Sequence, residues 1–222
     1  MPNRATELVW DQPERADASG LTRAAIVRAA LELADAEGLD AVSIRRVADR
    51  LEARPMSLYS HIASKDDLVA LMLNEVSGEL LVPAPLPTDW RSALAAIARR
   101  AHEAYLAHPW MLTAFGRGPR VGPNQLRRAE QSATAVAGLD LDPADAWTAL
   151  RIVHEWTIGN ALHVVTLRED PQLEQQLRAA DPDAFPRMSR VFPSARGESH
   201  DAAFETALEV VLDGVERHFL DG

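Results

Sequence analysis

The segment Ser43–Lys65, SIRRVADRLEARPMSLYSHIASK, decides the fold. Ile44, Val47, Ala48 and Leu51 recur at helical spacing, and Ser43 ahead of them is a side chain that accepts a free backbone N–H at a helix start. The period breaks at Glu52-Ala53-Arg54. Pro55 restarts it from the first turn, where a helix tolerates proline best, and a second short helix is expected from Pro55 to about Ile62. At about 100° per residue, Leu58 and Ile62 share an inward side. Ser57, Ser60 and His61 gather opposite, with Met56 beside them and Tyr59 on the flank. Two short helices joined by so tight a turn make a helix-turn-helix.

Charge sharpens this reading. The chain of 222 residues carries a formal net charge of −10, which argues against indiscriminate binding of nucleic acid by the whole surface. Residues 41–65 run the other way, with Arg45, Arg46, Arg50, Arg54 and Lys65 against Asp49 and Glu52. A short helix with a small, polar, acid-free outer side fits the major groove of B-DNA, about 12 Å wide. Ser57, Ser60 and His61 can donate or accept at base edges, and Pro55 and Met56 can pack on a thymine methyl. Tyr59, Lys65 and the Ser43 end of the preceding helix are placed to grip phosphates. Amphipathic helix pairs of this kind also occur as plain core elements that bind nothing, so spacing and charge leave both readings open.

Working outward, helical periodicity appears almost everywhere and no strand pattern stands out. The fold class expected is all-α, with about nine to ten helices. Residues 1–20 read as a flexible polar arm. A helix over Thr22–Glu37 ends at Gly38-Leu39, a left-handed cap with its apolar neighbour tucked back. Ser64 and Asp67 resemble a capping box that opens a further helix burying Leu68, Leu71, Met72 and Val76. The prolines of Val82–Trp90 stop that helix and mark a linker. The expected domains are therefore residues 21–81, a three-helix unit around the helix-turn-helix, and residues 82–222, a larger helical bundle. In the bundle, helices are expected over about 89–107, 124–137, 143–167 and 201–219, with a loop at 116–123 and a short helix plus a mobile loop over 170–200.

Residues 22–79 resemble the N-terminal domain of the TetR family of bacterial transcriptional regulators, whose pattern the stretch AALELADAEGLDAVSIRRVADRLEARPMSLYSHIASKDDLVALM follows in order, spacing and residue type. The resemblance is most specific at EGLDAVSIRRVADRL and at SLYSHIASKDDL. It implies that Arg45 contacts a base or phosphate, that Pro55, Met56, Ser57, Ser60 and His61 face the groove, and that Tyr59 and Lys65 hold phosphates. It further implies a homodimer on a palindromic double-stranded DNA operator, released by a small-molecule effector, with repression the usual outcome. Glu52 departs from the family pattern, which places Gly there for a left-handed turn.

The C-terminal half carries no Gly-rich phosphate loop, no Gly-x-Ser-x-Gly and no His-Glu-x-x-His, so no enzyme activity, metal or cofactor is expected. An all-α carrier or enzyme retaining a vestigial helix-turn-helix is the competing reading. Arg151 and His154 share a face with apolar Trp147. Polar groups there need partners inside the protein or serve a pocket, for which Trp110, Met111, Phe115, Trp147, Arg151 and His154 are the candidates. The helix 143–167 is apolar on both sides and the last helix is apolar over a wide stripe, so a second copy could cover them. Trp156, Val164, Phe204, Leu208, Val211 and Val215 are the candidate dimer interface. No run of about 18 apolar residues would span a membrane, and the chain has no Cys and no secretory pattern at its start, so a cytoplasmic location is expected.

Overall fold

The computed structural model describes residues 10, 20–115, 121–169, 172, 175, 179, 181, 183–191 and 199–220. Among them every regular element is helical. In chain order these are α1 (Arg23–Glu37), a 3₁₀ turn (Leu39–Ala41), α2 (Ile44–Arg50), α3 (Pro55–Leu58), α4 (Lys65–Glu79), α5 (Trp90–Ala107), α6 (Trp110–Ala114), α7 (Pro123–Val136), α8 (Pro143–Glu169), α9 (Pro186–Val191) and α10 (His200–Phe219). Of the arm expected at 1–20, Trp10 and Gly20 are described, and Trp10 packs against the nearby core. Residues 116–120 of one expected loop and much of 170–200 lie outside the described residues.

Local chemistry sets the helix starts. Thr22 accepts the Ala25 N–H at 3.1 Å, Ser43 that of Arg46 at 3.2 Å, and Asp89 that of Ser92 at 2.8 Å. Ser64 caps α4 through the Asp67 N–H at 3.1 Å, and the Asp67 carboxylate accepts the Ser64 hydroxyl at 2.9 Å. Gly38 ends α1 at φ +83°, a region L side chains avoid, and its N–H closes on Ala34 O at 2.8 Å.

Two apolar cores result. The first joins α1, α2, α3 and α4 through Ile26, Leu33, Val47, Leu58, Ile62, Leu68 and Met72. It does not stop at the proline linker, because Tyr105 of α5 and Trp110 and Met111 of α6 are buried in it as well. The second core lies among α5, α7, α8 and α10, around Leu94, Ala98, Val136, Val153, Phe204, Leu208 and Leu212. Arginines of α5 tie it to α10. Arg99 forms a fork with Glu205, with its shortest contact at 2.6 Å, and Arg91 meets Glu209, Asp213 and Glu216.

Candidate nucleic-acid interface and ligand cavity

The turn between α2 and α3 depends on Glu52, whose φ of +52° makes it a non-glycine residue in left-handed backbone. The Ala53 N–H then reaches back to Ala48 O at 2.9 Å, and the chain re-enters helix at Pro55. The helix is shorter than its pattern predicts. After Leu58, Ser60 N bonds Ser57 O at 3.3 Å and His61 N bonds Leu58 O at 2.9 Å, the i to i−3 pattern of a 3₁₀ turn.

One predicted residue is corrected. Three positions after Leu58, His61 is its neighbour on the same side of a helix, about 60° away at 100° per residue and directly over it at three residues per turn, and it is buried, 6% exposed. It therefore does not present its ring outward as the wheel expected. Of the other residues expected on this face, Pro55, Tyr59 and Ser60 are exposed, Met56 is 76% exposed, and Ser57 is half-buried. Arg45 is exposed on α2 and Lys65 half-buried at the start of α4. The local positive charge is smaller than the count suggests. Arg46 is held by Glu37 at 2.7 Å and Arg50 by Glu32 at 3.2 Å. The hydrogen bond from Arg46 holds the Glu37 carboxyl below its usual range. Arg45, Arg54 and Lys65 are the basic groups of this segment without an ion pair among the described residues. Arg54, exposed at the N-terminus of α3, belongs with the face although it was not among the predicted site residues.

A cavity of about 350 Å³ opens among α5, α7 and α8. Of the six candidate pocket residues, Phe115, Trp147, Arg151 and His154 line it, together with the apolar side chains Leu94, Ile97, Ala98, Leu150 and Val153. Trp110 and Met111 do not. Trp110 is drawn into the first core by its indole N–H, which donates to Asp35 of α1 at 2.7 Å, and Met111 is buried beside it. His108, just before α6, meets the same Asp35 at 2.7 Å, so this corner braces α1 instead of lining the cavity.

The polar wall comes from α7, which the sequence reading overlooked: Gln125, Arg128 and Ser132 line the cavity at helical spacing. Arg128 Nη2 donates to the Tyr105 hydroxyl at 3.0 Å and lies 2.8 Å from His154 Nδ1. A guanidinium is only a donor, so His154 Nδ1 accepts and its proton sits on Nε2. Burial first, and the Arg128 charge second, hold the His154 pKa down to about 4, so the ring is neutral at pH 7. Their signal in the sequence was a polar i, i+3, i+7 series on an otherwise weakly apolar helix.

Four of the six candidate dimer residues are already spent inside the single chain. Phe204, Leu208 and Val215 belong to the second core, and Val164 is buried. Phe204 stacks between His102, at 4.0 Å, and Trp156, at 5.2 Å. Trp156 and Val211 are half-buried against the same core. The outward faces of these helices are different: Ile152, Gly159 and Leu162 on α8, and Val210 and Gly214 on α10.

Comparison with known proteins places this architecture. The model for "Bacterial regulatory proteins, tetR family" matches residues 26–72, and that for "Tetracyclin repressor-like, C-terminal domain" matches residues 82–219. An HTH-type transcriptional regulator of Saccharopolyspora erythraea is 33% identical over 215 residues, covering 93% of this chain and 90% of the relative. The HTH-type transcriptional repressor DrrR1 of Streptomyces coeruleorubidus is 31% identical over 233 residues, covering 96% and 85%. The crystal structure of the TetR family protein ActR of Streptomyces coelicolor in complex with (S)-DNPA superposes with a TM-score of 0.74 at 28% identity, over 88% of this chain and 96% of ActR. A helix-turn-helix followed by a bundle that encloses a cavity, matched at both ends by family models, makes this chain a member of the TetR family of DNA-binding transcriptional regulators, a non-enzymatic family.

Proposed function

We propose that two copies of this chain bind a palindromic operator as a repressor, and that a small molecule in the α5–α7–α8 cavity releases them. The observation that carries this reading is the outer side of α3, exposed at Pro55, Met56, Tyr59 and Ser60, with Arg45, Arg54 and Lys65 around it free of ion pairs among the described residues. Met56, Ser57 and Ser60 read base edges, Pro55 packs alongside, and Arg45, Tyr59 and Lys65 hold phosphates. His61 supports this face from beneath. Residues 21–81 bind DNA, and residues 82–222 bind the effector and dimerise.

Repression is supported by the relative DrrR1, named as a repressor, and ligand control by ActR, solved with (S)-DNPA bound. A path for the signal is available. Asn124 of α7 bonds Asn74 of α4 twice, N to Oδ1 at 2.9 Å and Nδ2 to the backbone O at 2.8 Å. Gln131 of α7 holds both the Val82 N–H, at 3.0 Å, and its carbonyl, at 2.8 Å. A ligand that moves α7 moves α4, and with it the spacing of two α3 copies. It acts only by favouring the arrangement that does not fit DNA.

The test is selection of genomic fragments by the purified protein. The expected result is enrichment of a sequence with two-fold symmetry and half-sites about 34–36 Å apart, bound with an affinity that falls linearly, on logarithmic axes, as salt rises. Fragments enriched without symmetry, or none at all, would overturn the reading.

A further inference from the structure

The cavity has an electrostatic character that its apolar walls conceal. Among the described residues its lining includes two arginines, Arg128 and Arg151, and no Asp or Glu, in a chain with 33 acidic residues. Elsewhere in the bundle Arg91, Arg99 and Arg100 each meet a carboxylate within hydrogen-bond distance. Arg128 does not. Its partners are a phenol and a neutral imidazole, and both bonds leave from Nη2, so Nε and Nη1 make no hydrogen bond among the described residues. A half-buried guanidinium beside apolar side chains, with no counter-ion among the described residues, is an unfavourable arrangement that an anion would relieve. Arg151 stands at the rim, exposed and only loosely drawn to Glu155 at 3.6 Å, where it can attract the same charge. The rim also carries two exposed aromatic rings, Phe115 and Trp147 (65% exposed), which offer faces to a flat molecule.

We propose that the effector is a flat, largely apolar organic acid whose anionic oxygen group pairs with Arg128. The proposal rests on the cavity being the effector site, and it adds the chemical class. Arg128 supplies the charge. His154 stays neutral and keeps the guanidinium in place through Nδ1, while its Nε2–H remains a donor. On the same side of α7, Ser132 Oγ donates to Arg128 O at 3.0 Å and keeps its acceptor capacity, and Gln125 accepts the Gly122 N–H through Oε1 at 2.8 Å and keeps its Nε2 donors for a ligand.

The experiment uses two fluorescent probes with the same aromatic body: 1-anilinonaphthalene-8-sulfonate, which is anionic, and N-phenyl-1-naphthylamine, which is neutral. Each is titrated into the wild-type protein, Arg128→Met, Arg128→Lys and Ala129→Trp. Ala129 is an exposed residue of the cavity lining, and Trp there fills the mouth. The expected result is a wild-type preference for the anion of about tenfold or more, the scale of one charge-assisted hydrogen bond. Arg128→Met should lose that preference while binding the neutral probe within about twofold, Arg128→Lys should keep much of it, and Ala129→Trp should weaken both probes. Equal wild-type affinities, or an Arg128→Met protein that retains the preference, overturn the anion proposal while the cavity reading stands. If Ala129→Trp leaves both probes unaffected, the cavity reading itself falls. Should Arg128→Met fail to fold by circular dichroism, the wild-type comparison and Arg128→Lys still decide.

Discussion

Glu52 shows how one residue can be read from sequence as a cost. The turn needs left-handed backbone, the family pattern has Gly there, and the structure holds Glu52 at φ +52°. Left-handed backbone costs an L residue about 1–2 kcal/mol, and the extra freedom of an unfolded Gly returns about 0.4–1 kcal/mol of that. Glu52→Gly should therefore raise the melting temperature by roughly 2 °C. It should also tighten binding to a selected fragment, since it removes a carboxylate beside the DNA-facing helix. Unchanged melting and affinity would refute that account of the turn. His154 gives a second measurable consequence. Its folded pKa, about 4, lies below the unfolded value of about 6.5. The unfolded chain thus takes up a proton that the folded chain refuses. Stability contributed by neutral His154 is complete above about pH 6.5 and is lost as pH falls towards 4, on the order of 3 kcal/mol in all. Chemical denaturation between pH 7 and 4 should show this loss, and His154→Gln should flatten it.

Helix α7 is the element whose role its sequence hides most. It carries few large apolar residues, yet it holds both the polar wall of the cavity and the bonds to α4. Gly78 of α4 permits that approach, because a Cβ there would lie 2.9 Å from Asn124 Nδ2. Each Asn74–Asn124 hydrogen bond should contribute about 1 kcal/mol. Each side chain meets the other residue's backbone, so Asn74→Ala and Asn124→Ala remove different bonds; in urea denaturation each should cost about 1 kcal/mol and the double variant about 2 kcal/mol. The single variant at Asn124 should leave probe binding in the cavity intact while reducing the ligand-induced change in hydrogen exchange of α4. Losses well under about 1 kcal/mol at both positions would mean that the two side chains do not form the joint described. Helix α3 teaches a related lesson: its inward period was legible, but His61, three positions after Leu58, belongs to that inner side and not to the outer one where it was expected.

Assembly follows from what the single chain leaves uncovered. Leu162 is 51% exposed and Val210 66%, on the outward faces of α8 and α10, with Gly159 and Gly214 allowing close approach. If two copies meet there, Leu162→Asp buries a carboxylate at the seam and should shift the protein to monomer in sedimentation analysis, with loss of operator affinity because two linked half-sites become one. Val164→Asp, by contrast, should destabilise the fold itself, since Val164 is buried in the subunit. A Leu162→Asp protein that stays dimeric would move the interface elsewhere. No helix among the described residues is long and apolar enough to cross a membrane.

The all-α class and the helix-turn-helix were readable from residue order, and the left-handed turn at Glu52 from the resemblance to the family pattern. Each rests on local rules: the spacing of apolar side chains, capping groups, the backbone limits of proline and glycine. Which apolar face meets which neighbour is not a local property. Phe204, Leu208 and Trp110 look equally suited to a dimer seam, a pocket or a core until helices far apart in the chain are packed together. The second core took the first two, and a hydrogen bond to Asp35 took the third. The same packing brought Arg128 to His154 across 26 positions of sequence, and so set the charge of the cavity, which no window along the chain contains.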